Sequence, residues 1–89
     1  MTVTILDFHA EWCGPCSTQE PILDELMEKV SDVKLEKVDV DENQQRANDY
    51  SVRSIPTIVV LDENEEIVDR FVGVTQEETL LDAIEVAKA

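Results

Sequence analysis

Apolar positions along the chain fall into short blocks with two kinds of spacing. Val3 to Phe8 is a compact apolar run with branched side chains, broken by Asp7, and predicts a buried strand. From about Pro15 to Val30 the pattern changes. Ile22, Leu23, Leu26, Met27 and Val30 recur at helical intervals, so a helix is expected, bent where Pro21 removes a backbone donor. Val33 to Val40 predicts a second strand, and Glu42 to about Tyr50 a polar helix. Ile55 to Leu61 is almost continuously apolar, which suits a third strand. After a turn over Asp62 to Glu66, Ile67 to Val72 should pair back as a fourth strand. Thr75 and Glu78 have the spacing of a capping box ahead of Leu80, Leu81, Ile84 and Ala87, so a helix should follow. The order β-α-β-α-β-β-α implies an α/β fold: a four-stranded mixed sheet with helices on both faces.

The chain has 89 residues, enough for one domain with a modest core, and no repeat or linker suggests a boundary within 1–89. No apolar run is long enough to span a bilayer. Met1 to Phe8 lack the basic start and long apolar stretch of a secretory signal, which leads to the expectation of a cytoplasmic protein. Charge changes the picture more. With 21 acidic against 7 basic residues the net charge is −14, which repels nucleic-acid phosphates and anionic lipid alike. The acids are spread along the chain rather than clustered. That favours a solvated, halophile-like surface whose self-repulsion is screened by salt, over an acidic face made for one partner.

The candidate chemistry sits between the first strand and the first helix. Cys13-Gly14-Pro15-Cys16 places two thiols one turn apart, close enough to bridge. Free amides and the positive end of the helix favour a thiolate at Cys13. Pro15 suits a first turn, where its missing donor costs nothing. Cys13 is therefore the expected nucleophile, near the surface, and Cys16 the shielded resolving thiol. A zinc or iron–sulfur site would need ligands beyond these two and His9, so no metal or other cofactor is expected apart from the redox-active disulfide itself. Asp39 and Asp41 alone make a poor cation site and are assigned to solvent or to a helix cap. Asp7 stands in an apolar strand, where desolvation should raise its pKa and fit it for proton exchange near neutrality; a carboxylate at a frayed strand end is the plainer alternative.

These motifs resemble the thioredoxin family. The resemblance runs from Val3 almost to the end, through Asp7-Phe8, Ala10-Glu11-Trp12-Cys13-Gly14-Pro15-Cys16, Pro21, Lys37-Val38-Asp39, Arg53, Ile55-Pro56-Thr57 and Gly73. It implies a thioredoxin-like fold and a protein disulfide reductase, with disulfide-bearing proteins as substrates and a thioredoxin reductase as electron donor. It also implies that Asp7 lies behind Cys16 and activates it, and that Lys37 approaches Asp7. By strand parity Lys37 lies with Val33 and Leu35, but a lysine reaching into solvent fits the sequence equally well. The resemblance makes the bond before Pro56 cis, against a general rate of about 5% for such bonds. Trp12, Ile55, Pro56 and Gly73 would then form a shallow docking groove, Gly73 being alternatively a plain turn residue.

The chain also departs from the family. Asp7 already belongs to the strand that leads into the motif, so the usual first strand and helix are missing and an edge strand lacks a neighbour. His9 stands where an aromatic residue is common, and Ser17 where a lysine is common. A protonated His9 could favour the Cys13 thiolate or be surface packing. A monomer is expected. Rival readings are a glutaredoxin-like protein, an oxidase or isomerase, and a non-catalytic binding module on the same fold.

Overall fold

The structure, a computed structural model, describes residues 2–89. The described residues form strands β1 (Val3–His9), β2 (Val33–Asp39), β3 (Thr57–Leu61) and β4 (Ile67–Val72), with helices α1 (Gly14–Lys29), α2 (Gln44–Asp49) and α3 (Glu77–Lys88). The sheet order is β2-β1-β3-β4. β1 runs parallel to β2 with Val3 opposite Val33, while β3 is antiparallel to both β1 and β4. This is the mixed sheet that the hydrophobic pattern predicts.

The two central strands explain their own composition. β1 turns Val3 and Ile5 into a core shared with Leu23 and Leu26 of α1 and with Leu80, Ala83 and Ile84 of α3. Its other face sends Leu6 and Phe8 into a second core with Val38, Val59, Leu61 and Ala47 of α2. A strand covered on both faces must be apolar at successive positions, which is why Val3 to Phe8 and Thr57 to Leu61 do not alternate. The edge strands β2 and β4 carry mixed polar and apolar residues, as strands with solvent on one side do.

Local expectations hold with a few corrections. α1 starts at Gly14 and runs unbroken through Pro21; the carbonyl of Ser17, which loses its helical partner there, belongs to an exposed residue that water can serve. β3 begins at Thr57, not Ile55, because Pro56 has no amide to give to the ladder. α2 is shorter than expected, starting after Asn43. The capping box does not form. Gln76 is the N-cap of α3 without a side-chain cap bond, and the Thr75 hydroxyl donates instead to the carbonyl of Gly73 at 3.0 Å. Thr75 is held from the other side, its amide donating to Gln19 Oε1 at 2.7 Å, so its side chain is turned away from the helix start. The expected turn is present, with Asp62 Oδ1 accepting from the amides of Asn64 and Glu66. Among the described residues no helix is long and apolar enough to cross a membrane.

Candidate active site

β1 ends at His9 and a short turn leads into α1, so the dithiol sits where the central strand meets a helix N-terminus. Cys13 is the N-cap itself, in extended conformation (φ −89°, ψ 106°), followed by Gly14 and Pro15 as the first helical residues. Its amide donates to the carbonyl of Ala10 at 3.2 Å, and its Sγ accepts from the amide of Cys16 at 3.2 Å. A sulfur capping a helix in this way is placed where negative charge is stabilised. Cys13 and Cys16 form a disulfide with Cα atoms 5.3 Å apart. Both cysteines pack with Ala10, and Val40 and Ile55 close over them.

One expectation is corrected here. Cys13 is not the more exposed cysteine: it is 5% and Cys16 7% exposed in this disulfide form. The two differ by surroundings rather than by depth. Cys13 has the helix amide, whereas Cys16 lines a cleft of about 300 Å³ together with Asp7, His9, Glu20 and Lys37.

Asp7 is almost wholly buried, and its Oδ1 has no hydrogen-bond partner in the protein. Burial pushes its carboxyl above the ordinary carboxylate range; the positive charges of His9 and Lys37 partly offset this, and Glu20 and Asp24 add to it. The frayed-end alternative is excluded, since Asp7 pairs in mid-strand with both Lys37 and Ile58. Lys37 lies directly across from Asp7 in the β1–β2 register, yet its ammonium is held by α1. Nζ is 3.5 Å from Glu20 Oε1 and 3.6 Å from Asp24 Oδ1. The described ion pairs include none between Lys37 and Asp7.

On the other side of the disulfide, Trp12 is 70% exposed and lines an open groove of about 480 Å³ with Val40, Val52, Arg53 and Ile55. The Ile55–Pro56 bond is cis, and the carbonyl of Pro56 accepts from the amide of Gly73 at 2.8 Å. Gly73 has φ +94°, so it is also the turn residue of the alternative reading, and only glycine adopts that conformation without strain. Thus Trp12 and Ile55 share the groove, while Pro56 and Gly73 are joined beside it.

Two contacts are absent from the sequence-based reading. Trp12 Nε1 donates to Asp41 Oδ2 at 2.8 Å, while Asp39 Oδ1 accepts from the Asp41 amide at 2.9 Å. Asp39 is therefore engaged locally and Asp41 by the distant Trp12, and neither side chain caps a helix. The other is Gln19, completely buried, which donates to the carbonyl of Thr75 at 3.0 Å and accepts from its amide. Its signal was visible: Gln19 is a polar residue in the Cys16, Leu23, Leu26 stripe.

A helix-capping sulfur in a disulfide, a buried carboxylate behind its partner cysteine and a cis-proline loop alongside form a recognisable set. Residues 1–86 match the thioredoxin family model. This chain belongs to the thioredoxin family. It is 47% identical over 81 residues to a thioredoxin of Rickettsia typhi, covering 90% of this chain and 76% of that protein. It is 45% identical over 83 residues to a thioredoxin of Bacillus subtilis, covering 92% and 79%. A solved thioredoxin variant from Halobacterium salinarum NRC-1 superposes with a TM-score of 0.87 at 42% identity, covering 98% of this chain and 75% of that one. As a thioredoxin-family protein with its dithiol intact, the chain is a thiol–disulfide oxidoreductase acting through Cys13 and Cys16. Thioredoxin chemistry requires a disulfide-bearing partner on one side and a reductant on the other.

Proposed function

We propose that the chain is a reductant of protein disulfides in which Cys13 attacks and Cys16 resolves. The observation that carries this order is the cap: the Cys13 sulfur alone faces a helix amide, which favours its thiolate once the pair is reduced. That thiolate attacks one sulfur of a substrate disulfide docked along Trp12, Ile55, Pro56 and Gly73. A mixed disulfide forms and the first substrate sulfur leaves as thiolate. Asp7 then accepts the Cys16 proton, and the Cys16 thiolate attacks Cys13 Sγ. The Cys13–Cys16 bond forms, and the second substrate sulfur leaves carrying the electron pair. Gly14 and Pro15 hold the first turn of α1 that presents both sulfurs.

Re-reduction falls to a thioredoxin reductase in this reading. A dithiol that has to return to the reduced state suits the cytoplasm, where thiols are kept reduced. A net charge of −14 opposes self-association and supports a monomeric working form.

Two measurements test the proposal. A reduction potential near or below about −270 mV, the ordinary value for thioredoxins, supports a general reductant; one between about −200 and −120 mV points to oxidation or isomerisation instead. Cys16→Ser should stall with substrate covalently attached at Cys13, visible as a band on a non-reducing gel. Attachment through position 16 in Cys13→Ser instead would reverse the assigned order.

A further inference from the structure

The cleft behind Cys16 contains a buried carboxylate whose usual cation is occupied elsewhere. Lys37 stands across from Asp7, but its ammonium is drawn to Glu20 and Asp24 on α1, two carboxylates competing for one charge. The other basic side chain of the cleft is His9. It lies two residues along the same strand as Asp7, so both side chains leave the sheet on the same face, and it lines the same cleft, half-buried. We propose that His9 is the positioning residue that supplies the main counter-charge for Asp7, since Lys37 is shared with α1, and so sets how far into acid the Cys16 step continues. The proposal rests on Asp7 being the base for Cys16.

The groups that face His9 and Asp7 define the balance. β1 contributes Asp7, β2 contributes Lys37 and, in register with His9, Asp39; α1 contributes Glu20 and Asp24, and the turn contributes Glu11. With four further carboxylates and one shared ammonium, the surroundings are net negative. They raise the cost of ionising Asp7. The effect on Asp7 agrees: the charge of His9 lowers its pKa more than that of Lys37 does. Histidine is also the one side chain whose charge ordinarily changes between about pH 5 and 8. A positive charge at position 9 favours the ionised carboxyl of Asp7. Asp7 remains able to take the Cys16 proton where a neutral residue at position 9 would leave it protonated. No atoms are exchanged between His9 and substrate; the imidazole acts only through Asp7.

The test follows the Asp7 carboxyl by carbon NMR across pH in the oxidised protein, comparing wild type with His9→Gln, His9→Lys and Lys37→Gln. His9→Gln should move the Asp7 midpoint upward by about half a pH unit or more, a threefold change in ionised fraction on the acid side. His9→Lys, with a fixed charge, should reverse that shift, and Lys37→Gln should have the smaller effect. Resolution of a preformed mixed disulfide should show the same displacement of its acid limb in His9→Gln. An unmoved Asp7 midpoint in His9→Gln, or a larger shift in Lys37→Gln, overturns the proposal. If Asp7 shifts as expected but the resolving rate does not follow, the electrostatic pair stands and the role of Asp7 as base fails.

Discussion

Gln19 joins α1 to the segment that follows Gly73, and its removal has a calculable consequence. The side chain has no exposure, and it makes a two-point contact with one residue: Nε2 to the Thr75 carbonyl at 3.0 Å and Oε1 to the Thr75 amide at 2.7 Å. Thr75 is itself only 8% exposed, so its backbone has little access to water if Gln19 is truncated. Leaving a buried donor or acceptor unpaired costs about 1–3 kcal/mol. Two such groups, partly relieved by water entering the space, make Gln19→Ala cost about 2–4 kcal/mol. At about 0.05–0.15 kcal/mol per residue the whole domain has only about 4–13 kcal/mol to lose. The melting temperature should therefore fall by about 10–25 °C. Urea unfolding followed by far-UV circular dichroism measures the change, with an unchanged slope confirming that the same structure unfolds. Gln19→Met separates the causes, because it restores bulk without either hydrogen bond. Less than about 1 kcal/mol lost in Gln19→Ala, or full recovery in Gln19→Met, would refute the assignment of this energy to the paired backbone of Thr75.

Three further outcomes are expected. Asp7 binds its proton more tightly folded than unfolded, so its contribution to stability falls as pH rises from the ordinary value of 3.8 through the raised folded value. Asp7→Asn should thus gain on wild type across that window, and parallel urea midpoints at about pH 4 and pH 8 would contradict this. Asp41→Ala frees the Trp12 indole; losing about 0.5–1 kcal/mol of orientation should raise KM for a protein disulfide about two- to fivefold at constant kcat, whereas a fall in kcat alone would place the effect on chemistry. With a net charge of −14, the melting temperature should climb by several degrees between about 0.05 M and 1 M KCl as the Debye length shrinks from more than 10 Å to about 3 Å, and a salt-independent value would remove self-repulsion as a stability term.

What the sequence by itself determined are features with local or periodic causes. The continuous apolar runs of β1 and β3 require cover on both faces, and the strand and helix order follows from the change of period. Cys13-Gly14-Pro15-Cys16 at a strand-to-helix junction specifies a bridgeable pair at a helix start, whatever surrounds it. Tertiary structure alone decided matters of competition between distant groups. Thr75 has the right spacing to cap α3, but Gln19, 56 residues away, takes its backbone and the hydroxyl turns to Gly73. Lys37 has the right register to serve Asp7, but α1 brings two carboxylates to its ammonium. Trp12 is bound by Asp41 from 29 residues away, and the cysteines owe their equal burial to Val40 and Ile55 arriving from separate segments. Periodicity places each side chain on a face of its element. Which of several partners it meets there depends on differences of an ångström or two between packed layers, which no local pattern encodes.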